Sequence, residues 1–96
     1  MLNGKQRSFL RGQGNDLDPV IHIGKNGISE ELVEQTDKAL DDHELIKVRV
    51  LENSLFSTRQ AADELAEKTN SEVVQVIGSV FLLYRRNEEE PVYNLP

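Results

Sequence analysis

The sequence predicts a single α/β domain in the order helix-strand-helix-strand-helix-strand-strand, with one four-stranded mixed sheet and helices packed on it. Apolar residues recur with helical spacing in three segments and with strand-like alternation or short continuous runs in four others. Glycine and other turn-forming residues fall between these segments. The last two apolar runs are joined by Gly78-Ser79, a two-residue hairpin signal with glycine first.

Each element has its own local reason. Leu2 to about Gly12 reads as a first helix, with Leu2, Gln6, Phe9 and Leu10 on one stripe and Lys5, Arg7 and Arg11 facing outward. Gly12, Gly14, Asn15 and Asp16 break it. Pro19-Val20-Ile21-His22-Ile23 is short, apolar and β-branched, which predicts a first strand over about Val20 to Ile23. A second helix is predicted from Glu30 to Asp42, capped by Ser29, with Leu32, Val33, Thr36, Ala39 and Leu40 on its apolar face. Leu45 to Leu51 alternates as a strand, Ile46, Val48 and Val50 against Lys47 and Arg49. A third helix is predicted from Thr58 to Lys68, where Ser57 and Gln60 match a capping box and Asn70 is the stop. Glu72 to Ile77 and Val80 to Arg86 are the hairpin strands, and being apolar on both faces, at least one of them belongs in the middle of the sheet. Right-handed crossovers between parallel neighbours are expected for the first three strands.

Composition narrows the function. The 96 residues hold no cysteine, which removes disulfides, thiol catalysis and cysteine metal sites. No run approaches the ~18 apolar residues of a membrane span, and no signal-peptide core opens the chain, so a cytoplasmic protein is expected. The net charge of −6 argues against a general nucleic-acid binder. That charge is uneven, however. Lys5, Arg7, Arg11 and Lys25 outnumber Asp16 and Asp18 before residue 28, whereas the second helix and its end are almost purely acidic. A basic patch on an acidic body is compatible with this pattern.

The chemically distinctive segment is Gly24-Lys25-Asn26-Gly27, set between the first strand and the start of the second helix. Two glycines allow a tight turn and close approach of a partner, and the amides of a helix start favour an anion. As four residues alone, the segment fits either a simple connection or an anion-binding turn with Lys25 as its point charge.

Several blocks in register resemble one family. Leu2-x-Gly-Lys-Gln-Arg with Leu10-Arg11, and Pro19-x-x-x-Ile-Gly-Lys-x-Gly, resemble the start of the YhbY-type CRM domain. His43-Glu-Leu-Ile-Lys-Val, Val74-Gln-Val-Ile-Gly and Leu83-Tyr-Arg-Arg continue the pattern in order, from about Leu2 to Arg86. The resemblance implies a fold similar to the C-terminal domain of translation initiation factor 3. It also implies a stand-alone RNA-binding protein associated with precursors of the large ribosomal subunit, as in bacterial single-domain members; plant relatives act in organelle intron splicing. The family's RNA-contacting glycine loop, analogous to that of KH domains, maps onto Gly24, Lys25, Asn26 and Gly27, and its basic first helix onto Lys5, Arg7 and Arg11. The segment Gly12–Asp16 is richer in glycine and less basic than the family pattern.

The expected domain is therefore 1–86, monomeric, followed by an acidic, proline-containing tail over 87–96 that is loosely held. Arg85 and Arg86, ending the last strand, join the expected RNA contacts, while Lys47 and Arg49 are left open between contact and plain solvation. Phe81 and Tyr84 are expected in the core, His22 as a structural residue and His43 at a helix end. No phosphate-binding P-loop, nucleophile elbow or zinc-protease motif is present, so no catalytic site, metal or cofactor is expected. The alternative is a protein-interaction module that docks basic ribosomal proteins on the acidic second helix.

Overall fold

The computed structural model describes residues 1–96. Its elements are α1 (Gly4–Gly14), β1 (Pro19–Ile23), α2 (Glu30–His43), β2 (Leu45–Val50), α3 (Thr58–Thr69), β3 (Glu72–Ile77) and β4 (Val80–Tyr84). The predicted order holds, with boundaries shifted by one or two residues.

The strands lie in the order β1-β2-β4-β3. β1 and β2 are parallel, and β4 runs antiparallel to both β2 and β3. Only one pair of parallel neighbours therefore forms. β3 points the same way as β2, but β4 lies between them, so α3 carries the chain over one strand position to the sheet edge. The hairpin explains this: β4 pairs fully with β3 and offers its other edge to β2. The doubly apolar run Val80–Tyr84 is thus the central one.

Alternation along the strands builds two cores. Ile21, Ile23, Ile46, Val48, Val50, Phe81 and Leu83 face α2 and α3, meeting Leu32, Leu40, Ala61, Ala62 and Leu65. The alanines on α3 bring its backbone close to the sheet, as their spacing predicts. Leu45, Val74, Leu82 and Tyr84 face the other way and are covered by Leu2 and Leu10, with Phe9, Leu17, Tyr93 and Leu95 around them. One sheet is thus sandwiched between two helices and one.

The caps are local. Ser29 Oγ accepts from Leu32 N at 3.2 Å, and Ser57 with Gln60 forms the expected capping box. Asn70 stops α3 in the left-handed conformation (φ 54°). α1 differs from expectation at both ends. Asn3 caps it through a box with Gln6, leaving Leu2 ahead of the helix, and the helix continues past Gly12 to Gly14. Gly14 packs on Leu82 so closely that a Cβ there would lie 2.4 Å from Leu82 Cδ1.

The tail is the main departure. Residues beyond 86 are strapped to the domain by Glu44, which is 0% exposed. Its carboxylate accepts from the amides of Asn87 (2.6 Å), Val92 (2.9 Å) and Tyr93 (3.0 Å), and its carbonyl accepts from Arg85 N at 2.9 Å. Tyr93 then meets Phe9 edge-on, ring centroids 6.5 Å apart. The sequence predicts a loosely held acidic tail because nothing local marks Glu44 as its anchor.

Glu44 is also strained, with φ 63°, in the region that disfavours a Cβ. Glu44→Ala is expected to lower stability by about 3 kcal/mol through loss of charge-assisted hydrogen bonds. Glu44→Gly should be less damaging by about 1 kcal/mol, because glycine accepts that φ freely. Urea unfolding of both variants checks the ranking.

Burial and the neighbouring Glu44 charge raise the pKa of Tyr84 above 10.0, with Arg86 partly offsetting them, and burial and Glu44 likewise raise Tyr93. The folded state resists ionising these phenols, so the unfolded chain loses their protons first. Stability is intact below the ordinary tyrosine pKa and falls as pH rises above it. The Tyr84→Phe/Tyr93→Phe variant should lose less stability than the parent between about pH 9 and 11, as read by urea unfolding.

Candidate nucleic-acid interface

β1 ends at Ile23, and the chain turns at once. Gly27 N donates to Gly24 O at 3.0 Å, closing a β-turn with Lys25 and Asn26 at its tip. Of the two glycines only Gly27 is left-handed (φ 65°), as suits the last residue of such a turn. The two glycines are therefore needed for different reasons. A Cβ on Gly27 would be conformationally strained and would press on Phe56 Cε2 at 3.2 Å. A Cβ on Gly24 would meet the Asn53 side chain, with Oδ1 at 3.3 Å, and Leu51 Cδ1 at 3.6 Å, in a conformation open to any residue. Gly24 keeps the surface open rather than permitting the turn.

Lys25 and Asn26 are exposed, and their amides have no backbone partner. An ammonium and two amides without a backbone partner thus lie on one tip, a donor set suited to phosphate oxygens. The turn borders a groove of about 340 Å³ whose other wall includes His22, Ser29, Gln35 and Asn53. Glu31 also lines it. With Glu30 and Glu31 in its first turn, α2 already carries negative charge where its dipole would attract an anion, so the anion-binding character lies in the turn.

Asn53 and Phe56 carried no sequence signal for this site. They reach it because β1 and β2 pair in parallel with Ile23 beside Val50, and Leu51 N donates to Ile23 O at 2.8 Å. His22 had a weak signal: alternation turns it away from the core that holds Ile21 and Ile23.

The remaining expected contacts are not gathered around the turn. Leu2 N donates to the Glu72 carboxylate at 3.0 Å, so α1 begins at the start of β3, on the far edge and the far end of the sheet from Gly24. Lys5 is exposed there, Arg11 half-exposed, and Arg7 donates to Val73 O. Arg85 is a structural clamp: Nη1 meets Asp37 Oδ1 (2.8 Å) and Thr69 O (2.6 Å), and Nη2 meets Asp41 Oδ1 (2.9 Å) and Asp37 O (3.0 Å). These bonds join β4 to α2 and α3 and leave the guanidinium with little to offer RNA. Arg86 pairs with Glu88 at 3.5 Å at the same far end. Phe81 and Tyr84 are buried, as expected. No group of histidine and carboxylate side chains has metal-site geometry, and no helix is long and apolar enough to cross a membrane.

Residues 2–85 match the model of the CRS1 / YhbY (CRM) domain family. The chain is 38% identical over 96 residues to "Probable RNA-binding protein YqeI" of Bacillus subtilis, a match covering all of both chains. It is 35% identical over 91 residues to an "RNA-binding protein" of Haemophilus influenzae, covering 95% of this chain and 92% of the relative. The solution structure of the Staphylococcus aureus protein SAV1595 superposes over the full length of both chains with a TM-score of 0.83 and 45% identity.

The unequal glycines give a stability test. Gly27→Ala should lower the unfolding free energy by about 1 kcal/mol, with Gly24→Ala close to the parent. Thermal unfolding of the two variants side by side measures it.

Proposed function

This chain belongs to the CRS1 / YhbY (CRM) domain family, and from that premise we propose that it is an RNA-binding protein that acts on ribosomal RNA of large-subunit precursors during assembly. The turn Gly24–Gly27 is its primary contact. The observation that carries this reading is the presence of Lys25 and of two unpartnered amides, those of Lys25 and Asn26, on one exposed tip. Such a tip takes one or two phosphates by position and charge, and the groove beside it leaves room for the sugar or base that follows.

The family names of its relatives support RNA as the partner, and the ribosomal target follows the family resemblance of its sequence blocks. Lys5 and Arg11 remain free for a second, weaker contact if the RNA wraps around the sheet edge; Arg7 and Arg85 are already bonded within the domain. The protein-docking reading of α2 has less to stand on, because Asp37 and Asp41 of its acidic face are paired with Arg85.

Lys25→Ala should weaken binding to a structured ribosomal RNA fragment and reduce the salt slope by about one, the signature of a single lost phosphate contact. Gly24→Asp supplies the companion test. It should repel RNA without the backbone strain of a substitution at Gly27. Filter binding across a salt series reads both, and unchanged affinity in both variants would remove the turn from the interface.

A further inference from the structure

We propose that the bare half of the sheet face carrying α1 is a second RNA-contacting surface, which takes a single-stranded segment leading away from the Gly24–Gly27 turn and seats one unpaired base beside the β3–β4 hairpin. The proposal rests on the turn being an RNA contact.

Strand register defines the surface. One row across the sheet is His22 on β1, Arg49 on β2, Val80 on β4 and Ile77 on β3. The next row is Pro19, Lys47, Leu82 and Gln75. Apart from Pro19, which lies beyond a register irregularity, these side chains belong to the face on which α1 packs, because their neighbours Ile21, Val48, Phe81 and Val76 face α2 and α3. α1 covers the end of this face near Leu45, Val74 and Tyr84 and stops over Leu82. Beyond it the face is open: His22 and Arg49 are exposed, and Ile77 is 59% exposed.

Its charge is the opposite of the chain's. Neither row contains a carboxylate, although the molecule carries −6, and neither Lys47 nor Arg49 takes part in an ion pair. Two free cations side by side in rows without carboxylates are complementary to a polyanion, and the nearest acids, Asp18 and Asp42, border Lys47 only at the β1 edge. The surface is continuous with the turn, because His22 both lines the groove beside Lys25 and is the register partner of Arg49.

Between the end of α1 and the hairpin lies a hollow of about 190 Å³. Ile77, Val80 and Leu82 give it aliphatic walls, and Asn15, Gln75 and Lys47 supply polar groups. Amides can read the hydrogen-bonding edge of a base, aliphatic carbons cover its face, and the ammonium meets the adjoining phosphate. A duplex keeps its bases stacked inside and has none to place there, so the occupant is a single strand. Four strands at about 4.8 Å spacing put roughly 14 Å between the β1 and β3 ends of a row, a crossing that needs more than one nucleotide.

The test compares the parent, Lys25→Ala and Lys47→Ala/Arg49→Ala by fluorescence anisotropy. The probes are an unstructured RNA of about 12 nucleotides and a blunt RNA duplex, each titrated across salt. The double variant should bind the single strand about tenfold more weakly, with its salt slope reduced by about 1.4, and bind the duplex as the parent does. Amide shifts of Gln75 and Ile77 on adding the single strand to the parent protein would support the hollow, and thermal unfolding verifies that the variants fold. If Lys25→Ala weakens binding and the double variant does not, the sheet-face proposal is overturned and the turn stands. If the double variant weakens binding and Lys25→Ala is inert, the turn reading fails and the proposed path from the turn onto the sheet face falls with it. A parent protein that does not bind the single strand overturns the proposal. So does a parent dimer that Ile77→Asp dissociates with no change in RNA affinity, which would assign the face to a second copy of the chain.

Discussion

The buried carboxylate of Glu44 holds one end of this small domain together. It sits between α2 and β2 with no counter-cation in contact and is solvated instead by three backbone amides of the tail. An unpaired buried charge would be strongly destabilising, so the tail has to close over it. That closure brings Tyr93 and Leu95 onto the α1-side core, which has only six buried residues and could not shield itself otherwise. The left-handed backbone at Glu44 is the accompanying strain, held in place because the surrounding hydrogen bonds leave the residue no other position.

The same end of the molecule uses up much of its positive charge. Arg85 joins three elements through Asp37, Asp41 and Thr69, Arg86 turns to Glu88, and Arg7 is fixed on β3. At the other end Arg59 pairs with Asp63, but three cations are left alone. Lys25 stands on the turn, and Arg49 and Lys47 on the open part of the sheet, none of them in an ion pair. A chain of −6 can therefore present a locally positive surface. Binding by such a surface is weakly helped by long-range attraction and depends on short-range fit, because the acidic body repels RNA wherever the fit fails.

The turn itself shows how one motif divides its work. Gly27 is required by the backbone, being left-handed against Phe56, and Gly24 by the need for an open approach next to Asn53. Lys25 and Asn26 are free to carry chemistry because neither contributes to the fold. This separation of scaffold from tip leaves the amides of Lys25 and Asn26 unpartnered on a fixed turn.

Local information in the sequence determined most of the elements. The caps at Ser29, Ser57 and Asn70, the hairpin at Gly78-Ser79 and the apolar faces of α2 and α3 depend on residues within a turn or two of one another, and they formed as read. The sequence also located the exposed turn, since glycine spacing and strand alternation are local properties. Tertiary structure alone decided what depends on distant partners. It placed β4 between β2 and β3, put the start of α1 at the far edge and far end of the sheet from the turn, and turned Arg85 into a clamp. It also made Glu44 the anchor of a tail more than forty residues away, as its bonds to Asn87 and Tyr93 show. Strand order and long-range pairing follow from the joint minimum of all contacts, in which no single stretch of residues holds both partners.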